Sequence, residues 1–228
     1  EFAKRARRLY AGKEAVVDGS LRFTYEEFFS RCDKWSAALQ NMGVMHSDRV
    51  AYIAPNTHTH LEGYYAVPQM GAVLVPVNYR LSADDFEYII NHCGAKVVCA
   101  HPDYFDAVDG IRDKLVSVEN YIELEGEKSG WDDYEKLLAN ETGAYTHNQI
   151  DEDDLLTINY TSGTTARPKG VMITHRNAYM NIMGTLVHHH LTTNDRYLWT
   201  QRMFHAKGWT ITWIKTERGK AQRCLRKV

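Results

Sequence analysis

One apolar run, AVLVPV at residues 72–77, constrains the fold of this chain more than any other feature. A strand formed by it carries apolar side chains on both faces, which is typical of a central strand in a parallel sheet. Strand-like runs at 49–53 and 96–100 alternate with segments of helical period that contain Phe28 and Phe86. This alternation predicts an α/β fold whose sheets are mainly parallel and flanked by helices.

Short polar signals indicate where two of the predicted helices begin. Thr24 with Glu27 has the spacing of a capping box, and Ser82 with Asp85 has the spacing of a second helix start. Gly94 follows the apolar positions of the second helix, where glycine commonly ends a helix in the left-handed conformation. We therefore expect one helix to begin after Thr24 and another to run from Ser82 to Gly94.

Composition excludes several classes of protein. The 228 residues carry a formal net charge of −2, and no apolar run is long enough to span a bilayer. The four cysteines have neither a CxxC pair nor the spacing of a metal site, so we expect reduced thiols in a cytoplasmic protein. These cysteines are Cys32, Cys93, Cys99 and Cys224.

Charge is concentrated at one end of the chain. Residues 201–228 contain eight Lys or Arg and a single acid, Glu217. A basic tail can bind nucleic acid, but no aromatic–basic pattern or nucleic-acid motif accompanies the charge. We therefore expect a solvated surface, no nucleic-acid partner and no membrane span. The acidic stretch 124–154 is expected to be a surface excursion with one short helix around residues 131–138.

The strongest functional signal is residues 160–171, which read YTSGTTARPKGV. Hydroxyls, glycines and one lysine lie between two apolar runs, so the layout is strand, polar loop, strand. Backbone N–H groups and hydroxyls in such a loop can surround phosphate oxygens, and Lys169 adds a positive charge. The segment is not a Walker A motif, because the Gly-Lys-Ser/Thr ending is missing. This disfavours the class of P-loop NTPases.

TSGTT followed by PKG resembles the signature loop of the adenylate-forming superfamily, which contains acyl-CoA synthetases, luciferases and adenylation domains. Residues 71–81 (GAVLVPVNYRL) and 170–177 (GVMITHRN) resemble other segments of that superfamily. The MFH and GW of residues 203–209 are similar to those of medium-chain fatty acyl-CoA synthetases. The resemblance runs along nearly the whole chain.

The resemblance implies that residues 1–228 are part of the N-terminal large domain of such an enzyme. Residues 1–150 would form a first α/β subdomain. Residues 151–228 would hold the phosphate loop and the start of a second subdomain. The small C-terminal domain, with its adenylation lysine, and the acidic Mg²⁺ ligand of the family have no counterpart in this sequence. We therefore expect the isolated chain to be incomplete or inactive, and its unfinished sheet edge to favour homo-oligomers.

The resemblance also implies a two-step reaction in which a carboxylic acid and ATP form an acyl-adenylate, which coenzyme A converts to a thioester. Mg²⁺ would bridge the phosphates, Lys169 would be catalytic, and His205 would be catalytic between the acyl pocket and the thiol. Gly208 and Trp209, with His205, would bind the acyl group. The phosphate-binding residues would be Thr161, Ser162, Gly163, Thr164, Thr165, Lys169 and Gly170.

Three features depart from the pattern or invite another interpretation. Ala166 stands where the family usually has glycine, and Lys207 stands where a small or neutral residue is usual. Histidines occupy residues 188–190, but consecutive helical residues point in different directions, so we expect no metal site. An alternative function therefore stays open: a non-catalytic module of this family that binds nucleotide or a partner.

Overall fold

The computed structural model of the chain describes residues 1–161, 167–188, 192 and 194–226; for residues 206–211 it describes only the backbone. The helices are α1 (Phe2–Tyr10), α2 (Tyr25–Asn41), α3 (His58–Gln69), α4 (Ala83–Cys93), α5 (Phe105–Asp109), α6 (Tyr134–Ala139), α7 (His175–His188) and α8 (Ala206–Glu217). The strands are β1 (Glu14–Asp18), β2 (Leu21–Thr24), β3 (Arg49–Ile53), β4 (Val73–Pro76), β5 (Ala95–Ala100), β6 (Asn120–Glu123), β7 (Asp132–Asp133), β8 (Leu155–Thr161), β9 (Lys169–Thr174), β10 (Arg196–Leu198) and β11 (Ala221–Arg223).

A seven-stranded sheet forms the centre of the molecule, in the order β7-β6-β5-β3-β4-β8-β9. All its neighbouring strands are parallel except β8 and β9, which form an antiparallel hairpin at one edge. Strand β4 is buried at every residue and lies between β3 and β8. The predicted fold class and the central position of this apolar run are both confirmed.

Helices cover both faces of this sheet, as alternating apolar side chains require. Val50, Tyr52 and Leu74 face a core formed with α2 and α3. Ala51 and Val75 face a second core, which contains residues of α4 and α5. No helix in the part of the chain that the structure describes is long and apolar enough to cross a membrane.

Both predicted helix starts are confirmed by side-chain geometry. Thr24 Oγ1 accepts a hydrogen bond from the backbone N–H of Glu27, and the carboxylate of Glu27 accepts one from the N–H of Thr24. Ser82 and Asp85 make the same reciprocal pair at the start of α4. Gly94 ends α4 with φ of +62°, the left-handed conformation that glycine adopts without steric cost.

A four-stranded sheet, in the order β10-β11-β1-β2, joins the two ends of the chain. It places Lys220 of the basic tail in the interior, so the expectation of a solvated surface is wrong for that residue. The Lys220 side chain is 1% exposed, and its Nζ lies 2.5 Å from Asp195 Oδ2. Arg226 donates from Nε to Asp18 Oδ1 over 2.8 Å and from Nη1 to Glu125 Oε2 over 2.7 Å. A buried positive charge is tolerated when a carboxylate pairs with it. The number of charged residues in the sequence does not show which of them form such pairs.

The segment 124–154 is only partly the expected surface excursion. Its short helix is present as α6, but Trp131, Tyr134 and Leu138 are buried. Tyr134 donates a hydrogen bond to Glu62 Oε2 over 2.6 Å, and its ring lies 4.8 Å from that of Trp35. This stretch therefore completes the core over α2 and α3. All four cysteines are free, and Cys32, Cys99 and Cys224 are buried.

Candidate phosphate-binding site

The β8–β9 hairpin positions Thr161 and Lys169, the described residues on either side of the predicted phosphate loop. Thr161 pairs with Lys169 across the ladder, and Tyr160 pairs with Gly170. Directly paired residues of antiparallel strands carry their side chains on the same face. Both Thr161 and Lys169 are exposed, so a hydroxyl and an ammonium group flank the turn between the strands. Four further predicted phosphate-binding residues lie outside the described residues: Ser162, Gly163, Thr164 and Thr165.

Gly170 has a packing role that the sequence did not reveal. A Cβ at this position would lie 2.9 Å from Ile158 Cγ2 and 3.2 Å from Tyr160 Cζ. Real Cβ atoms do not come as close as the 2.9 Å to Ile158, so a side chain at residue 170 would displace Ile158 and crowd the Tyr160 ring. The glycine therefore leaves room for the Ile158 and Tyr160 side chains on its face of the hairpin.

The described ends of this hairpin lie at the carboxyl edge of the parallel strands. Strands β3, β4 and β8 run in the same direction, so their last residues, Ile53, Pro76 and Thr161, lie at the same edge of the sheet. Ligands of open parallel sheets bind outside this edge. Since strands are about 4.8 Å apart, the ends of β3 and β8, two strands apart, are separated laterally by about 10 Å. The topology thus places Thr161 and the end of β3 at the same edge of the sheet.

Asn56, which follows β3, brings the predicted acyl segment to this edge. Its Nδ2 donates to the carbonyls of Trp199 over 3.1 Å and Gln201 over 2.8 Å. Its Oδ1 accepts from the N–H of Met203 over 2.9 Å. One buried amide side chain thereby satisfies three backbone groups of the segment that precedes His205. Sequence reasoning missed Asn56; its place directly after a buried parallel strand was the available signal.

The predicted acyl-site residues lie around the start of α8. The carbonyl of Met203 accepts a hydrogen bond from the Tyr64 hydroxyl over 2.6 Å, and Phe204 packs edge-on against Tyr79, with ring centroids 5.2 Å apart. His205 is exposed, directly before α8, and its backbone N–H donates to the carbonyl of Arg202 over 3.1 Å. Gly208 and Trp209 lie within α8, where the structure describes only the backbone, and so does Lys207.

The one grouping of possible metal ligands among the described residues is Asp18, His58 and Glu125. The Arg226 guanidinium already contacts both carboxylates, so a cationic group occupies the position that a metal ion would need. Burial alone would raise the pKa of Asp18, but hydrogen bonds from His58 and Arg226 outweigh it and lower that pKa strongly. The arrangement is therefore an ion-pair network in which Asp18 and His58 are buried and Glu125 and Arg226 are partly exposed. Of the three consecutive histidines, His188 ends α7, and the other two lie outside the described residues.

The described geometry is that of an α/β domain with a candidate phosphate-binding hairpin, β8–β9, at the edge of its main sheet. A family model described as "AMP-binding enzyme" matches residues 2–228. The chain therefore belongs to the AMP-binding enzyme family.

Curated relatives of this chain are CoA ligases. It is 34% identical to a peroxisomal benzoate–CoA ligase of Arabidopsis thaliana and 33% identical to 4-hydroxybutyrate–CoA ligase 2 of Metallosphaera sedula, and all of this chain is matched in both. It is 34% identical to a long-chain-fatty-acid–CoA ligase of Thermus thermophilus over 97% of its length. The chain spans only 42% or 43% of each of these relatives.

Solved structures confirm the position of the chain within such enzymes. The N-terminal domain of FACL13 from Mycobacterium tuberculosis superposes with a TM-score of 0.91 at 26% identity, covering all of this chain and 56% of that one. The fatty acyl CoA synthetase of Mycobacterium tuberculosis superposes with a TM-score of 0.88 at 25% identity, covering 100% of this chain and 44% of that one. The fold is that of the N-terminal portion of an adenylate-forming enzyme.

Proposed function

We propose that this chain provides the triphosphate-binding part of an acid–CoA ligase, which activates a carboxylic acid with ATP to an acyl-adenylate and transfers the acyl group to coenzyme A. The observation that carries the proposal is the pairing of exposed Thr161 with exposed Lys169 at the carboxyl edge of the sheet. Because the chain spans about two fifths of its curated relatives, the complete reaction is proposed for the whole protein.

In this proposal, hydroxyls and backbone N–H groups hold the β- and γ-phosphates, while the Lys169 ammonium balances charge on the leaving pyrophosphate. Bound Mg²⁺ would supply further neutralisation of the phosphate oxygens. The exposed hydroxyl of Thr161 and the exposed ammonium of Lys169 fit a triphosphate, because both groups can donate hydrogen bonds to anionic phosphate oxygens. The holding residues would be Thr161, Ser162, Gly163, Thr164, Thr165, Lys169 and Gly170.

For the acyl group we propose the site around His205, with Gly208 and Trp209 shaping its pocket. His205 would act between the acyl group and the coenzyme A thiol. The shared carboxyl edge supports this placement, because Asn56 and Tyr79 hold the segment before α8 near the ends of β3 and β4. Medium-chain fatty acids are the first substrate class to test, and aromatic acids are the second. The relatives are named for benzoate, 4-hydroxybutyrate and long-chain fatty acids.

Further properties of the whole protein are also proposals. We propose a boundary at residues 150/151 between a first subdomain and the start of a second, a cytoplasmic location, and no nucleic-acid partner. The benzoate ligase relative is named peroxisomal, so cell fractionation against a peroxisomal marker tests the location. Exposed Met172 at the edge strand β9 supports self-association, which analytical ultracentrifugation would detect.

ATP–pyrophosphate exchange tests the proposed function on the 228-residue chain, with Mg²⁺, a panel of fatty and aromatic acids, and parallel titration of ATP. Lys169→Ala removes the ammonium at the turn. Lys136→Ala is the matched control, since Lys136 is exposed and its one partner among the described ion pairs is the nearby Asp133.

We expect wild type and Lys136→Ala to bind Mg-ATP equally, and Lys169→Ala to bind it about tenfold more weakly or worse, since charge-assisted contacts are lost. Acid-dependent exchange would extend the proposal to the isolated chain. Binding without exchange would support the second candidate, a non-catalytic nucleotide-binding module. Equal binding by both variants, or no binding by wild type, would overturn the assignment of the hairpin.

A further inference from the structure

Two side chains of α4 with aromatic rings, Tyr88 and His92, lie next to the β8–β9 hairpin. Tyr88 and His92 are four residues apart, so their side chains lie one above the other on the helix. Their ring centroids are 5.3 Å apart with planes inclined by 36°. Tyr88 is half-buried and His92 is exposed, so the pair forms a small platform at the surface.

His92 contacts the strand that leads into the phosphate loop. Its Nδ1 lies 2.7 Å from the Tyr160 hydroxyl, a hydrogen-bonding distance, and the two rings meet edge-on with centroids 5.8 Å apart. Burial raises the pKa of Tyr160, so the phenol keeps its proton at neutral pH and can donate it. Tyr160 in turn lies opposite Gly170, and the adjacent pair of the hairpin is Thr161 with Lys169.

Tyr88 contacts the chain on the other side of the loop. The guanidinium carbon of Arg167 lies 4.9 Å from the Tyr88 ring centroid, which is within the range of a cation–π contact. Tyr160, just before residues 161–166, therefore contacts His92, and Arg167, just after them, contacts Tyr88. The two contacted rings are neighbours on the same helix. Neither Tyr88 nor His92 belongs to the signature sequence, and both are more than sixty residues before it.

We propose that Tyr88 and His92 are positioning residues for the phosphate-binding segment. They hold Tyr160 and Arg167 on α4 and thereby set where Thr161 and Lys169 lie. A site whose flanks are held before the ligand arrives loses less conformational freedom on binding, so its contacts yield more affinity. The significance for binding rests on the proposed function, whereas the contacts themselves can be tested without nucleotide.

The first experiment is amide hydrogen exchange on the whole chain without nucleotide. It compares wild type with His92→Phe, Tyr160→Phe and the double variant, all of which keep a ring at each position. Tyr88→Leu tests the Arg167 contact in the same way. Glu87→Gln is the matched control, because it lies on α4 and removes a different contact, the 3.2 Å ion pair with Lys114.

We expect His92→Phe, Tyr160→Phe and the double variant to accelerate exchange at residues 160–161 and 169–170 equally, by about tenfold, because each removes the same hydrogen bond. Exchange elsewhere and in Glu87→Gln should match wild type. Unchanged exchange in the hairpin, additive single effects, or acceleration throughout the chain would overturn the proposal.

The second measurement is Mg-ATP affinity, with His92→Gln as the conservative variant that retains a hydrogen-bonding side chain. We expect His92→Phe to weaken affinity by about fivefold to tenfold, and His92→Gln to recover most of it, at unchanged melting temperature. Failure of wild type to bind ATP would contradict the proposed function. The hydrogen-exchange result would still show whether the contacts of Tyr88 and His92 hold the hairpin. Normal ATP affinity in both His92→Phe and Tyr88→Leu would contradict the positioning role alone.

Discussion

Helix α3 and helix α7 are similar in length, yet they have opposite relations to the core. Every residue of α3 from His58 to Pro68 is buried, whereas α7 buries only Ala178 and Ile182. Strands next to them differ in the same way, since β4 is buried throughout and no residue of β9 is. The hairpin with the candidate phosphate-binding residues thus lies on the open side of the molecule.

Polar and apolar groups are also distributed differently on the two sides. The buried Glu62 on α3 is held by Arg31 and by the Tyr134 hydroxyl. On the open side, large apolar side chains are exposed instead: Met172, Tyr179, Met180, Met183 and Val187. The comparison indicates that the α3 side contributes most of the stability of the fold, while the exposed side chains of β9 and α7 tolerate change. Four predictions test this difference, beginning with the largest.

Removing one partner of a buried ion pair should separate the two sides most clearly. Arg31 Nε lies 2.6 Å from Glu62 Oε1, and the Glu62 side chain is fully buried. Arg31→Met leaves an unpaired buried carboxylate, and we expect the free energy of unfolding to fall by about 3–5 kcal/mol. Arg176→Met breaks the exposed pair with Glu152 and should cost less than about 1 kcal/mol. Urea denaturation of both variants measures the difference, and equal losses would contradict the comparison.

Apolar truncation should give the next largest contrast. Leu61 on α3 is fully buried, so Leu61→Ala leaves a cavity and should cost about 2–5 kcal/mol of unfolding free energy. Met180 on α7 is 60% exposed, and Met180→Ala should change stability by no more than about 0.5 kcal/mol. Thermal melting monitored by circular dichroism tests both. A loss of several kcal/mol in Met180→Ala would show that α7 is packed more tightly than its exposure indicates.

The buried histidine of α3 should make stability depend on pH. Burial alone would lower the pKa of His58, but the hydrogen bond to Asp18 and the nearby carboxylate of Glu135, 3.8 Å away, raise it from 6.5 to about 9. Because the folded-state pKa is raised, protonated His58 stabilises the fold fully below about pH 6.5, and this stabilisation is lost as the pH rises towards 9. We expect a loss of at most about 3 kcal/mol across this window.

His58→Gln is the control for this titration, and the readout is the difference between wild type and variant in urea midpoints from about pH 6 to about pH 9.5, which brackets both pKa values. Wild type must be compared with the variant because Lys215 also titrates in this range: burial lowers its pKa to about 8. Its effect on stability has the opposite dependence on pH at the upper end of the range. A wild-type curve parallel to that of His58→Gln would contradict the raised pKa of His58.

Two glycines on the open side provide the smallest and most local test. Gly170→Ala places a Cβ against Ile158 and Tyr160 and should destabilise the chain by about 1–3 kcal/mol. Gly184 lies in α7, and a Cβ added there would have no neighbouring atom within 4 Å, so Gly184→Ala should stabilise by about 0.5–1 kcal/mol. Differential scanning calorimetry measures both. Destabilisation of similar size at the two sites would show that the hairpin has no special packing requirement.

Local rules predicted much of the fold and part of the candidate site. The capping pairs at Thr24 and Ser82 and the glycine stop at Gly94 depend on neighbouring residues alone, so the sequence was sufficient to predict them. The polar turn next to Lys169 was also readable as a phosphate-binding pattern. Tyr88, His92 and Asn56 were not, because each contacts residues more than sixty positions away.

By itself, therefore, the sequence determined the alternating strands and helices, the helix ends and the polar composition of residues 160–171, since the first two depend on periodicity and local hydrogen bonding. The tertiary structure decided which strands are neighbours, and thus that Thr161 and the Asn56 segment share the carboxyl edge. It also decided that Lys220 and Arg226 of the basic tail are paired with carboxylates. Burial and charge pairing are properties of distant residues brought together, and only the folded chain specifies which ones meet.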